Sequence, residues 1–177
     1  MPYTLKNEIP VEVRRKAAAF HEAGHLLVAT VLGRKVTGAI LRPPHGTNGE
    51  TQFEDEPEVV LDLKLQDDRS VIENHVVVLM AGEIAEAIVW DEMRPLFNPL
   101  VDTHRDDVAM IKVLKEAFYF DQEEDARYEA HCRGKTASIV HEPVCRAALE
   151  EIARHLQATF AVTREESDAI LRKHNVL

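Results

Sequence analysis

The pattern of apolar residues along the chain predicts a mostly helical protein with a short stretch of strand. The first long helix is expected to begin at Pro10, because proline fits the first helical turn, and to end near Gly33. Gly24 lies inside this helix at a cost of about 1 kcal/mol relative to alanine, so we expect another backbone to approach closely there. The apolar and small residues that repeat at helical spacing are Ala17, Phe20, Gly24, Leu27, Val28, Val31 and Leu32.

Two short strands are predicted after this helix. The segment from Lys35 to Leu41 is short and rich in β-branched residues, which is typical of a strand. The segment Thr51-Gln52-Phe53 is a second candidate, and the stretch between the two is rich in proline and glycine, as turns are. Residues 58–66 are ambiguous, because they alternate like a strand while their composition also suits a helix.

The second half of the chain reads as a series of helices. Residues Ser70 to Glu73 have the form of a capping box and predict an apolar helix that runs to about Trp90, followed by a loop from Asp91 to His104. Thr103, with Asp106 three residues later, is a similar pattern and predicts a helix to about Phe120. The apolar stripe predicted for that helix is Met110, Val113, Leu114, Ala117 and Phe118.

Three more helices complete the expected fold. Two are predicted over about 123–138 and 143–159, and a short last helix should be capped at Thr163 and end near Lys173. The length of 177 residues favours a single domain over the whole chain. The expected class is therefore mainly α (α+β): a helical bundle with a small β-sheet beside the first long helix.

Composition and charge narrow the class of partner. The formal net charge of -10 argues against a nucleic-acid partner and against docking on an anionic membrane. No apolar run approaches the roughly 18 residues of a membrane span, and the two cysteines, Cys132 and Cys145, fit reduced thiols better than a disulfide framework. We therefore expect a cytoplasmic protein with no membrane span. No phosphate-binding loop of the G-x-x-x-x-G-K-[ST] type occurs in the sequence.

The residues that carry the clearest chemistry are His21, Glu22 and His25, which form an H-E-x-x-H pattern. Residues four apart lie on one face of a helix, roughly 5–6 Å apart, so two imidazoles can reach one metal ion. Glu22 projects beside the metal, where it can accept a proton from metal-bound water. This is the pattern of a zinc-dependent peptidase. Two buried imidazoles would be costly without partners, which favours a shared metal.

A third protein ligand is needed, because catalytic zinc usually takes three and leaves the fourth position open. The extended pattern H-E-x-x-H-x-x-G-x-x-H fails here, so a carboxylate from a later helix is the natural alternative. Asp106 and Asp107 are the best placed, at a predicted helix start, although acidic residues there also stabilise the helix dipole. Glu86 and Glu83, on the preceding apolar helix, stay open as rivals. Glu86 is a ligand, the partner of a histidine, or merely part of the exposed edge of that helix. His104 is a further candidate.

Five segments of the chain carry motifs in a fixed order and together span about residues 10–172. They are Phe20 to His25 with its apolar continuation, Gly49 to Phe53, Ala81 to Glu86, Asp106 to Val108, and Thr163 to Leu171. In this order they resemble the peptidase domain of the FtsH family of ATP-dependent zinc metalloproteases. The second segment resembles the family's G-x-T-x-F strand, and the third resembles its G-G-R-A-A-E helix.

The resemblance implies roles for individual residues. His21 and His25 would bind Zn²⁺, Glu22 would be the catalytic base, Asp107 would be the third ligand, and Asp106 would take the preceding, non-ligand place. It also implies that an extended substrate pairs with the strand formed by Thr51, Gln52 and Phe53, a recurring mode of peptide recognition. Zinc is the cofactor that follows from these assignments.

The chain also departs from the family. The sequence carries no ATPase module and no membrane segments, Glu83 stands where arginine is usual, and Ala87 replaces an acidic residue. We therefore expect a stand-alone zinc metallopeptidase-like domain over residues 1–177. It would cleave unfolded or loosely structured polypeptide, or work with a separate ATPase or as a homo-oligomer. The alternative is a catalytically inactive peptide-binding module that keeps the peptidase fold, and a metal-dependent hydrolase of another bond is a third hypothesis.

Overall fold

The computed structural model describes residues 4–55, 61–97 and 105–177 and is mainly helical with one small sheet, which confirms the predicted fold class. After a short 3-10 helix over Lys6–Glu8, the described part contains six α-helices and three strands. The helices are α1 Val11–Val31, α2 Gln66–Met93, α3 Arg105–Glu116, α4 Gln122–Val140, α5 Pro143–Thr159 and α6 Arg164–Lys173. The strands are β1 Val36–Leu41, β2 Gly49–Phe53 and β3 Ala161–Thr163.

The sheet is antiparallel, with the strand order β2-β1-β3. Ala39 of β1 lies opposite Thr51 of β2 on one side and opposite Val162 of β3 on the other. The sequence predicted β1 and β2 but not β3, because three residues are too few to show an alternating pattern. The sheet lies beside α1, where the side chain of Thr51 reaches Glu22.

Helix α1 is the centre of the molecule rather than an amphipathic surface helix. Its residues from Ala19 to Ala29 are all buried, including both histidines. The predicted close approach at Gly24 is confirmed, since a Cβ there would lie 2.5 Å from the carbonyl oxygen of Ala81 in α2. Glycine thus allows α1 and α2 to pack with their backbones in near contact. Buried residues from all six helices and from β1 join one hydrophobic core.

The start of α2 differs from the prediction. The helix begins at Gln66, and Ser70 lies inside it, where its hydroxyl donates to the carbonyl oxygen of Gln66 at 2.9 Å. A serine inside a helix can satisfy its hydroxyl in this way without ending the helix, so the capping-box interpretation of residues 70–73 was wrong. Residues 61–65 form neither helix nor strand, and residues 56–60, which cover part of the ambiguous segment, lie outside the described residues.

The apolar stripe predicted for α3 was largely wrong. Met110 and Val113 are 51% and 60% exposed, and Ile111 is the one buried residue of the helix. The inward face passes instead through Asp107, Ile111 and Leu114, which follow helical spacing on the neighbouring face. The helix ends at Glu116 rather than near Phe120. The predicted cap at Thr103 lies outside the described residues.

The remaining helices match the predictions closely. Asp121 caps α4 and Glu142 caps α5, each accepting hydrogen bonds from two backbone N–H groups. The predicted cap of α6 is confirmed, because the hydroxyl of Thr163 accepts from the N–H of Glu166 and the Glu166 carboxylate accepts from the N–H of Thr163. Among the described residues, the helices are all too short or too polar to cross a membrane.

Candidate metal centre

Three side chains from two helices converge on one point. His21 and His25 lie one turn apart on α1, and their Nε2 atoms are 3.0 Å from each other. Asp107, in the first turn of α3, brings its Oδ2 atom to 3.2 Å from the Nε2 of His21 and 3.4 Å from that of His25. Both histidines are buried and Asp107 is partly buried. The structure thus brings together the two histidines and one of the acidic candidates.

Hydrogen bonds on the far side of each imidazole ring determine which nitrogen faces this point with a lone pair. The Nδ1 of His25 lies 2.8 Å from the carbonyl oxygen of Val78, which can only accept, so Nδ1 carries the proton. The Nδ1 of His21 lies 3.2 Å from Oε2 of Glu86, and a carboxylate likewise accepts. In its neutral form, each ring therefore presents an unprotonated Nε2, which is the form that binds a metal.

The donor set and its spacing fit zinc. Bond lengths of about 2.0–2.2 Å in a tetrahedral site place neighbouring ligand atoms about 3.3–3.6 Å apart, close to the separations between the three atoms here. Two imidazole nitrogens and a carboxylate oxygen are common zinc ligands, and three protein ligands leave a fourth position open. Three lone pairs at these distances repel one another, so a cation or a proton is needed among them.

The charges of the site show what competes with a metal. Burial disfavours the charged form of His21, but its hydrogen bonds with the carboxylates of Asp107 and Glu86 outweigh burial and raise the pKa of His21 to about 10. Burial raises the pKa of Asp107, but the two imidazoles outweigh it and hold that pKa well below its usual range. A proton on His21, paired with Asp107, is therefore the natural competitor of the metal ion.

One face of α2 supports the site at four successive turns. Val78 supplies the carbonyl oxygen for His25, and Glu86 accepts from His21. Between them, a Cβ on Gly82 would lie 2.5 Å from both Cε1 of His21 and Nε2 of His25, so only glycine fits beneath the rings. One turn beyond, Trp90 donates its indole N–H to Oε1 of Glu86 at 2.7 Å.

Glu22 is buried beside the two histidines, with 6% of its surface exposed. Its Oε2 atom lies 2.9 Å from the hydroxyl of Thr51, which can donate to it, and the carboxylate packs against Gly49, where a Cβ would collide with it. Burial raises the pKa of Glu22 although both imidazoles and Thr51 lower it. A carboxylate with a raised pKa is suited to accept and return a proton.

Strand β2 offers backbone groups to a further strand. Leu41 donates to the carbonyl oxygen of Phe160, on the β3 side, whereas Arg42 donates to Asn48, on the β2 side. Because pairing alternates along an antiparallel ladder, the N–H and C=O groups of Gly49, Thr51 and Phe53 point away from β1. None of the described strands pairs with that edge. Thr51 therefore contacts Glu22 through its side chain and presents its backbone to the open edge.

The structure separates the candidates for the third ligand. Asp107 lies in the cluster, whereas the neighbouring Asp106 is exposed. Glu86 contacts the outer nitrogen of His21 rather than the side that faces the cluster, and Glu83 is on the surface, paired with Arg133. His104 lies outside the described residues. Among the described residues, the other histidines join no metal-binding cluster.

Three contributions were not recognised from the sequence. The carbonyl oxygen of Val78 is a backbone atom, so nothing in the residue type signals its role. Trp90 could have been found, because it lies four residues after Glu86 on the same predicted helix, where an indole N–H can reach a carboxylate. The contact of Thr51 with Glu22 joins two distant segments of the chain, and local patterns do not show such a contact.

Comparison with known proteins adds no assignment. No protein-family model matches the chain, and no curated protein matches its sequence. The family resemblance drawn from the motifs therefore stays a prediction. The geometry of the centre formed by His21, His25, Asp107 and Glu22 is the basis for a functional proposal.

Proposed function

We propose that this chain is a zinc-dependent peptidase whose metal is held by His21, His25 and Asp107. One observation carries the proposal: three lone-pair atoms from two helices meet at 3.0–3.4 Å, with a buried carboxylate, Glu22, beside them. Three ligands and an open position are typical of catalytic rather than structural zinc. The same four residues are those to which the FtsH-like motifs assign roles, which supports a peptidase of that type.

The roles follow from the positions of the side chains. A zinc ion bound there would lower the pKa of a coordinated water to near 7 and polarise the scissile carbonyl. Glu22 would accept a proton from the attacking water and pass it to the leaving amine nitrogen. Thr51 holds the carboxylate of Glu22 by a hydrogen bond, and Gly49 leaves room for it. Among the described residues, Glu22 is the one side chain to which we assign proton transfer.

The open edge of β2 supports a polypeptide as substrate. An extended peptide could pair with the backbone groups of Gly49, Thr51 and Phe53, because strand addition uses main-chain hydrogen bonds. Only a chain that is already unfolded or loosely structured can be laid along an edge in this way. A separate unfoldase, or assembly into a homo-oligomer, would extend the range of substrates, and a cytoplasmic location stays a prediction.

The test is the substitution Glu22→Gln, which keeps the shape of the side chain and removes its basicity. We expect the variant to bind zinc at a stoichiometry of one, measured by elemental analysis, while cleavage of an unfolded protein falls to background. Glu12→Gln is the matched control, since Glu12 is exposed on the same helix. It should leave both properties unchanged.

The outcomes separate the hypotheses. Unchanged cleavage in the Glu22→Gln variant would contradict the proposed chemistry. A wild-type protein that binds zinc and unfolded peptide but cleaves neither protein nor small amides would favour the non-catalytic binding module. Cleavage of small amides alone would favour a hydrolase of another bond.

A further inference from the structure

Trp90 is the single tryptophan of the chain and lies beyond the groups that a peptidase mechanism uses. Its indole N–H donates to Oε1 of Glu86 at 2.7 Å, while Oε2 of the same carboxylate accepts from Nδ1 of His21 at 3.2 Å. Glu86 is 2% exposed. Each oxygen of this buried carboxylate is therefore engaged by a different ring N–H group.

We propose that Trp90 is a positioning residue that sets the orientation of Glu86 and, through it, the tautomer of His21. The inference rests on the proposed metal centre and adds to it the outer part of its support. An indole N–H can only donate, so Trp90 requires an acceptor at Oε1. The carboxylate is thereby turned with its second acceptor toward Nδ1 of His21, which keeps the proton on Nδ1 and the lone pair on Nε2.

The geometry of α2 explains why this arrangement is rigid. Glu86 and Trp90 lie one turn apart on one face of the helix, so the hydrogen bond between them joins side chains that are neighbours by helical spacing. Partners that orient a histidine ligand are commonly carboxylates, and losing such a partner typically weakens metal binding about 10–100-fold. Trp90 acts one contact further out, by fixing the carboxylate itself.

The substitution Glu86→Gln tests this arrangement because an amide has only one oxygen. If that oxygen accepts from Trp90, the amide NH₂ faces His21 and favours the tautomer that cannot bind the metal. If the oxygen faces His21, the NH₂ meets the indole N–H, and two donors oppose each other. We expect zinc affinity, measured by competition with a chelator, to fall about 10–100-fold.

The decisive variant is the double substitution Glu86→Gln with Trp90→Phe. Phenylalanine keeps an aromatic ring and removes the donor, so the oxygen of the introduced amide is free to accept from His21. We expect Trp90→Phe alone to weaken zinc binding by at most about tenfold, the low end for outer partners. The double variant should bind zinc more tightly than Glu86→Gln alone. A purely structural role of Trp90 would make the double variant weaker.

Two controls complete the design. Glu83→Gln changes a partly exposed carboxylate on the same helix, which pairs with Arg133 and not with the metal centre, and should leave zinc affinity unchanged. Imidazole ¹⁵N spectra of the zinc-free protein, taken at a pH where His21 is neutral, should show its proton on Nδ1 in the wild type and shifted toward Nε2 in Glu86→Gln. Thermal melting should show that each variant folds. If Glu86→Gln lowered zinc affinity by the same factor with Trp90 present as in combination with Trp90→Phe, the role of Trp90 would be overturned. The peptidase proposal would remain intact. A wild type that binds no zinc would overturn both.

Discussion

The candidate centre has two sides that differ in packing. On the α1–α2 side, contacts from successive turns of α2 fix the two histidines, whereas on the α3 side Asp107 reaches the same point from a lightly packed helix. His21 and His25 are buried, and each has its outer nitrogen fixed by a group of α2. Asp107 lies in the first turn of α3, a helix whose one buried residue is Ile111 and whose other face exposes Met110 and Val113. The two sides thus differ in how firmly the fold positions a metal ligand.

Because of this difference, substitutions on the two sides should affect folding and metal binding differently. The histidines are pre-organised by the same contacts that pack the core, so a change there should disturb the fold and the metal site together. Asp107 is brought to the site by a helix with few buried contacts, so its loss should affect metal binding more than folding. A bound metal would then join α3 to α1, and its binding would stabilise the docking of α3.

The largest effect is expected from Gly82→Ala, on the side held by α2. The added methyl would lie 2.5 Å from both Cε1 of His21 and Nε2 of His25, so both rings must move. We expect zinc binding to be lost and the free energy of unfolding to fall by about 1–3 kcal/mol, as for an overpacked core. Equilibrium denaturation and chelator competition measure the two quantities.

The matched control for this substitution is Gly134→Ala. Gly134 lies in α4 with nothing near the place of its Cβ, so alanine should be neutral or stabilise the helix by up to about 1 kcal/mol. Zinc affinity should not change. If Gly82→Ala bound zinc as tightly as the wild type, the close support of the histidines by α2 would be contradicted.

The next largest effect is expected from Asp107→Asn, on the α3 side. Zinc affinity should fall by more than the roughly 10–100-fold typical of partners outside the ligand set, because a charged ligand becomes neutral. The amide keeps the shape and can donate to an imidazole Nε2. At about pH 10, where the proton on His21 adds little to stability, the free energy of unfolding without zinc should therefore change by at most about 1 kcal/mol in this variant. A comparable loss of stability in Asp107→Asn and Gly82→Ala would contradict the contrast between the two sides.

Asp106→Asn serves as the control, since Asp106 is the exposed neighbour in the same helical turn. It removes the same charge from the helix start and should leave zinc affinity nearly unchanged. A zinc concentration fixed at 100 times the wild-type dissociation constant should raise the free energy of unfolding by about 2.7 kcal/mol in Asp106→Asn and in the wild type. The gain should be much smaller in Asp107→Asn.

The same contrast explains what the sequence could predict. The two histidines are four residues apart in one helix, so local spacing was enough to place them together. Asp107 could not be separated from Asp106 by periodicity, because the choice depends on the rotation of α3, and the stripe through Met110 and Val113 indicated the wrong face. The carbonyl oxygen of Val78 and the contact between Thr51 and Glu22 depend on packing between distant segments, which local patterns do not determine.

The pH dependence of zinc binding should follow the protonation of His21. Its pKa is raised from 6.5 to about 10 by the carboxylates, so in zinc-free protein this group stabilises the fold fully below about pH 6.5 and progressively less as the pH rises toward 10. Zinc must displace that proton, so its affinity should instead rise with pH over the same range, by up to about tenfold per unit. Calorimetry in buffers of different ionisation heat should find about one proton released per zinc at pH 7.

This pH effect depends on Asp107, whose hydrogen bond is the largest of the contributions that raise the pKa of His21. The variant Asp107→Asn should therefore release fewer protons for each zinc ion that it binds. Zinc affinity that stayed constant between about pH 7 and 9 in the wild type would contradict the pairing of a protonated His21 with Asp107.

The smallest expected effect comes from Ile111→Val, which tests how α3 is anchored. Removing one methylene from a core typically costs about 0.5–1.5 kcal/mol, and Ile111, at the rim of the core with 9% exposed, should fall at the low end. The matched variant is Ile152→Val in α5, which is fully buried and distant in sequence from the site, and should cost more. Because Ile111 docks the helix that carries Asp107, its truncation should lower zinc affinity measurably, whereas Ile152→Val should not. A larger loss of zinc affinity in Ile152→Val would show that the position of Asp107 depends on the whole core rather than on the docking of α3.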